Sequence, residues 1–137
     1  MNKLIILQGI PASGKSTWTK QWVEEDPKTR VIVNRDSIRR GLGVYWVPSR
    51  ENLVSTIEYH MVMIALSQDY EVCLDATNLN PKYQQQWIDL TKHYNSELEY
   101  KRFDISLEEA LERDKNREFP VGEKVIKDFY NRYETRV

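Results

Sequence analysis

Short apolar runs alternate along the chain with stretches whose apolar residues recur at helical spacing, and this alternation predicts a β/α protein. Leu4-Ile5-Ile6-Leu7 reads as a buried strand, followed by a Gly/Pro/Ser turn and a helix from about Lys15 to Glu25. Asp26-Pro27 ends that helix, because the residue before proline avoids the helical region. Val31-Ile32-Val33 is a second buried strand, and a short helix from Asp36 to about Leu42 is closed by Gly41 and Gly43. An exposed aromatic loop with Tyr45 and Trp46 then leads to Pro48. Leu53, Ile57, Met61 and Ile64 recur at helical spacing and predict a longer helix from about Ser49 to Ser67.

The second half repeats the pattern. Val72-Cys73-Leu74 is a third buried strand ending at Asp75, and Asn80-Pro81 starts a helix with proline at its favoured early position. A strand from Leu98 to Asp104 precedes a helix that Ser106 and Glu109 open as a capping box. Pro120 breaks the chain, and a last amphipathic helix is expected from about Gly122 to Arg136. Continuous apolar strands separated by helices predict an α/β fold, a parallel sheet of about four strands covered on both faces. With 137 residues and no internal repeat, residues 1–137 are read as a single domain.

Composition narrows the function classes. Twenty Lys and Arg against twenty-one Asp and Glu exclude a globally basic nucleic-acid binder but allow a local basic patch. The lone cysteine, Cys73, has no intrachain disulfide partner and suits a core thiol in a reducing compartment. No apolar run approaches the roughly 20 residues that cross a bilayer, and Met1-Asn2-Lys3 leads straight into a strand. A cytoplasmic protein without membrane partners is expected. His60 and His93 have no second ligand at zinc spacing, Trp18 and Trp22 lie one helical turn apart as core packing, and Lys101 and Arg102 read as surface charges.

The most specific chemical signal is Gly9-Ile10-Pro11-Ala12-Ser13-Gly14-Lys15-Ser16, which fits G-x-x-x-x-G-K-[ST] between a strand and a helix. Gly9 and Gly14 free the backbone to aim amide N–H groups of the loop, with Ala12, Ser13 and Thr17 beside them, at phosphate oxygens. Lys15 reaches the β- and γ-phosphates and the Ser16 hydroxyl ligates Mg²⁺. The bland alternative is a glycine turn joining strand to helix. ATP, or another nucleoside triphosphate, with Mg²⁺ is the expected ligand.

The acceptor must be sought elsewhere. Asp36 follows the second strand, and carboxyl ends of parallel strands share one edge, so it should emerge near the cradle as a base for a hydroxyl acceptor. Arg39, three residues on, shares its helix face and can hold an anionic group of the acceptor by paired hydrogen bonds. An ordinary N-cap is the other reading of Asp36. Asp75 at the third strand tip can hold magnesium or water, or else fix a turn with Thr77 and Asn78. Arg113 and Arg117, four residues apart, read either as a cationic lid over the transferred phosphate or as a solvated charged helix. The Tyr45–Trp46 loop can stack on bases or pack between subunits of a homo-oligomer.

Gly14-Lys15-Ser16-Thr17-Trp18, Asn34-Arg35-Asp36 with Arg39, Thr77-Asn78-Leu79-Asn80-Pro81, and Arg113 with Arg117 together resemble the kinase domain of the T-even phage polynucleotide kinase-phosphatases. The resemblance runs along essentially the whole chain and implies a P-loop kinase fold that transfers the γ-phosphate of ATP to the 5′-hydroxyl of RNA or DNA. It further implies Asp36 as general base, Arg39 on the acceptor strand's phosphate, and Lys15 and Ser16 on the nucleotide. Arg117 would be the lid arginine, Arg113 a second nucleotide contact, and Phe119 a residue beside the terminal base. The chain departs from the family pattern in placing its acid at Asp75, two residues before Thr77. It also lacks an Asp-x-Asp-Gly-Thr segment, so no 3′-phosphatase activity is expected. A small-molecule kinase and a non-catalytic nucleotide-dependent binding module are the rival readings.

Overall fold

In a computed structural model that describes residues 2–134, four parallel strands form one sheet in the order β2-β3-β1-β4. The strands are β1 (Lys3–Gln8), β2 (Arg30–Asn34), β3 (Glu71–Asp75) and β4 (Glu97–Arg102). β1 and β3 occupy the centre, which is why Leu4, Ile6, Leu7, Val72, Cys73 and Leu74 are almost wholly buried and read as unbroken apolar runs. β4 lies at the edge, alternates charged and apolar residues, and is tied to β1 by Lys3 and Glu99 at 3.0 Å.

Helices cover both faces. α1 (Lys15–Glu25) packs Trp22, with Trp18 stacked on it, against Ile5, Leu7 and Cys73. On the other face α3 (Glu51–Ser67) and α4 (Gln84–His93) place Val62, Leu66, Trp87 and Leu90 against Leu4, Ile6, Val33 and Leu74. A third cluster, Ile10, Leu79, Ala110 and Ile126, seats α5 (Leu107–Lys115) and α6 (Glu123–Phe129) beside the turns that follow β1 and β3. The short α2 (Arg35–Gly41) follows β2 directly. The expected α/β architecture of about four parallel strands is present. Among the described residues no helix is long and apolar enough to cross a membrane.

The structure adds one local feature to the sequence expectations and corrects two. The inward stripe of α3 is Val54, Glu58, Val62 and Leu66, whereas Leu53, Met61 and Ile64 face outward and are 47%, 42% and 51% exposed. Ser106 accepts from the Glu109 amide, but the Glu109 carboxylate pairs with Arg113, so only half of the capping box forms. The last helix stops at Phe129 and continues as a π-helical turn, Tyr130–Glu134; the expected extension to Arg136 lies outside the described residues. Cys73 is buried as expected, and His60 and His93 are exposed with no metal-binding cluster among the described residues.

The two faces of α3 give a direct stability test. Leu66→Ala should lower unfolding free energy by about 2–5 kcal/mol, and Ile64→Ala by no more than about 0.5 kcal/mol. Denaturant titrations of both variants measure the difference.

Candidate active site

All four strands end at one edge of the sheet, and the cavity there, about 1240 Å³, is lined from both sides by the residues singled out in the sequence. The loop from Gly9 to Gly14 wraps one wall. Left-handed backbone occurs at Ala12 (φ +67°) and Gly14 (φ +102°), not at Gly9. Gly9 is needed for closeness instead, since a Cβ there would lie 2.6 Å from Ser13 Oγ and 2.9 Å from the Phe103 carbonyl oxygen. Lys15 is buried and its Nζ donates to the carbonyls of Gly9 and Ile10 and to Ser13 Oγ, at 2.9, 2.7 and 3.1 Å. Burial pushes the Lys15 ammonium down to about 8, with Asp75 opposing the shift and Arg117 adding to it.

Asp75, buried at the end of β3, joins the two halves of the site. Its Oδ2 accepts from Ser16 Oγ at 3.0 Å and from Asn34 Nδ2 at 3.0 Å, the latter because Asn34 and Asp75 are register partners on β2 and β3. Burial raises its carboxyl above the usual range against the pull of Ser16, Lys15 and Asn34. Ser16 Oγ and Asp75 Oδ2 are hard oxygen donors at the cradle, and the donor set suits Mg²⁺, which takes one or two protein oxygens and leaves its other positions to phosphate and water. The turn after β3 is fixed by Asn78, whose Nδ2 donates to the Leu7 carbonyl at 2.7 Å, so the turn does not rest on Asp75.

The opposite wall is α2. Asn34, not Asp36, is its N-cap, with Oδ1 accepting from the Ser37 amide at 2.8 Å. Asp36 is thereby left free to face the cavity. Its Oδ1 accepts from Arg39 Nη1 at 2.7 Å and from the Tyr45 hydroxyl at 2.8 Å. Arg39 is held in turn by Glu51, with Nη2 and Nε at 2.6 and 3.1 Å from the two carboxylate oxygens. Arg35 extends the network to Glu51, Ser55 and the buried Glu58, whose carboxyl is raised by burial.

Arg113 and Arg117 both line the cavity, although α5 ends at Lys115 and Arg117 lies in the turn beyond it. Arg113 Nη1 lies 3.6 Å from where a Gly14 side chain would start, beside the cradle. Arg117 Nη1 is buried and stands 3.5 Å from Asp114, outside hydrogen-bond geometry, while the residue itself lines the cavity. Asp114 also accepts from the amides of Val121 and Gly122, pinning the far end of the 116–122 loop. Phe119 does not line the cavity; it is half exposed and stacks on Arg40, whose guanidinium lies 4.2 Å from its ring centroid.

The sequence model of an AAA domain family (AAA_33) matches residues 4–135. The chain belongs to this family. It is 27% identical over 135 residues to the L-seryl-tRNA(Sec) kinase of Methanococcus maripaludis, covering 96% of this chain and 52% of that protein. It is 28% identical over 145 residues to a bifunctional polynucleotide kinase/RNA ligase of Autographa californica nuclear polyhedrosis virus, covering 96% of this chain and 21% of that one. A chain in the solved structure of the Pnkp1/Rnl/Hen1 RNA repair complex superposes with a TM-score of 0.81 at 26% identity, over 97% of this chain and 44% of that chain. The chain thus spans about half or less of each relative's length. With these neighbours, this AAA-family domain has the P-loop kinase fold.

The structure brings Lys15, Ser16, Asp36, Arg39, Asp75, Arg113 and Arg117 together around one cavity. The sequence reading missed Asn34 as cap and Asp75 partner, Glu51 as the clamp on Arg39, and Tyr45 as a contact of Asp36. An Asn three residues before Ser37 was a legible cap signal. Glu51 had none, because its contact with Arg39 spans 12 residues across a loop.

Lys15 gives a pH-dependent prediction. Its folded value of about 8 lies below the ordinary 10.5, so between these the unfolded chain holds more protons and this group's contribution to stability rises with pH. A bound polyphosphate favours the charged form, so ATP binding near pH 8–9 should take up a fraction of a proton per site. Calorimetry in buffers of different ionisation enthalpy measures this uptake, and Lys15→Ala should abolish it.

Proposed function

We propose that this domain is an ATP- and Mg²⁺-dependent kinase that transfers the γ-phosphate to 5′-hydroxyl ends of a polynucleotide. The observation that carries the reading is the placement of Asp36, a carboxylate held by Arg39 on the wall facing a complete P-loop. Loop amides and Lys15 bind the triphosphate, and Lys15 exchanges its carbonyl partners for phosphate oxygens. Ser16, with Asp75 behind it, would hold Mg²⁺, which would supply charge neutralisation on the phosphates. Asp36 takes the proton of the acceptor alcohol and holds its oxygen in line with the phosphorus. Arg117 brings its cation to the transferred group, and Arg113 neutralises charge at the cradle rim.

A polymeric acceptor is supported by Arg39. A guanidinium has five N–H groups, and three hydrogen bonds to Asp36 and Glu51 leave one on each terminal nitrogen for an internucleotide phosphate. A neutral small acceptor leaves those two N–H groups without a phosphate to meet. The names of the two relatives, a seryl-tRNA kinase and a polynucleotide kinase/RNA ligase, agree with an RNA or polynucleotide acceptor. The motif set resembling the T-even phage enzymes points the same way. Phe119, stacked on Arg40 outside the cavity, would need to leave that contact to meet a terminal base.

With γ-labelled ATP and a 5′-hydroxyl oligonucleotide, label should move to the oligonucleotide and not to nucleosides or sugars. Asp36→Asn should lower the rate by about 10²–10⁴-fold while ATP binding is retained. Wild-type rates in that variant would overturn the base assignment. Transfer to nucleosides or sugars in preference to oligonucleotides would favour a small-molecule kinase, and ATP binding without transfer to any alcohol would leave a nucleotide-dependent binding module.

A further inference from the structure

We infer that Tyr45 is a positioning residue for the proposed transfer, fixing Oδ1 of Asp36 together with Arg39 so that Oδ2 is presented to the acceptor alcohol. The inference rests on Asp36 being the base. Both donors meet the same oxygen, at 2.7 and 2.8 Å, and among the described residues none donates to Oδ2. An aspartate carboxylate otherwise turns easily about its last bond, whose torsional preference is broad and two-fold. Two hydrogen bonds on one oxygen restrict that turning, because any angle between the two equivalent wells weakens both.

Tyr45 is itself held firmly. Arg50 ties down the segment just before Tyr45, donating to the carbonyls of Leu42 (2.9 Å) and Val44. The Arg40 guanidinium lies 5.2 Å from the Tyr45 ring centroid and 4.2 Å from that of Phe119, so the ring is braced against the 116–122 loop. Burial and the Asp36 carboxylate raise the Tyr45 phenol above its ordinary value, which keeps it a hydrogen-bond donor. A hydroxyl anchored this way suits a fixed support better than a plug that the acceptor must expel.

In the transfer, the acceptor O–H proton passes to Asp36 Oδ2 as the new O–P bond forms. The bond between the γ-phosphorus and its bridging oxygen breaks with its electron pair leaving on ADP, and the carboxyl later returns the proton to water. A base turned away by a fraction of an ångström loses alignment in this step and not in the binding of either substrate.

Tyr45→Phe removes the hydroxyl and keeps the ring on Arg40. Transfer to a 5′-hydroxyl oligonucleotide should show kcat lowered about tenfold, with KM for ATP, KM for the oligonucleotide and the melting temperature unchanged. An unchanged kcat overturns the inference. So does a raised kcat, which would make the hydroxyl a block on the base. An effect confined to oligonucleotide KM would make it an acceptor contact, and a loss tracking a lower melting temperature would make it merely structural. Asp36→Asn measured beside it separates the two claims. If Asp36→Asn is inactive while Tyr45→Phe matches wild type, only the role of Tyr45 falls; if Asp36→Asn is fully active, the base assignment falls with it.

Discussion

Oδ2 of Asp75 accepts one hydrogen bond from Ser16 and another from Asn34, and the rest of the site is arranged around that bridge. Ser16 belongs to the phosphate cradle, while Asn34 caps the helix that carries Asp36 and Arg39. Because β3 lies between β1 and β2, its last residue reaches both walls. The bridge is made by an acid whose burial disfavours its charge, and nearby Lys15 helps keep it ionised. Losing one partner would leave a buried carboxylate underpaired, which costs far more than the hydrogen bond alone contributes.

A second constraint follows on the acceptor wall. Arg35 and Arg39 stand among Asp36, Glu51 and Glu58, and the pairs are partly or wholly withdrawn from water. Such a network adds little net stability over an apolar core, but it fixes directions. Its product here is an oriented carboxylate on the side of the cavity opposite Lys15 and Ser16. The lid side is simpler, with Asp114 holding the loop through two backbone amides and facing Arg117.

Features set by local chemistry were legible in the sequence. The G-x-x-x-x-G-K-S loop, the buried strands β1 and β3, the Pro27 stop and the Pro81 start depend on residues a few positions apart and stand where expected, whereas β2 is an edge strand with only Val33 buried. The periodicity that predicts α3 did not show which stripe is buried, because the inward one contains Glu58 while a second, apolar stripe is largely exposed. A glutamate is tolerated inside only because Arg35 reaches it from α2, and that pairing spans 23 residues. Phe119 escaped for the same kind of reason: a distant arginine, Arg40, holds it outside the cavity.

The central claim is geometric, that an alcohol oxygen fits between Asp36 and the terminal phosphate. A structure with a non-hydrolysable ATP analogue, Mg²⁺ and a 5′-hydroxyl dinucleotide measures it directly. The account predicts the terminal hydroxyl within hydrogen-bond distance of Asp36 and about 3–3.5 Å from the γ-phosphorus, opposite its bridging oxygen. A hydroxyl bound elsewhere, with Asp36 still closed on Arg39 and far from the phosphate, would contradict it.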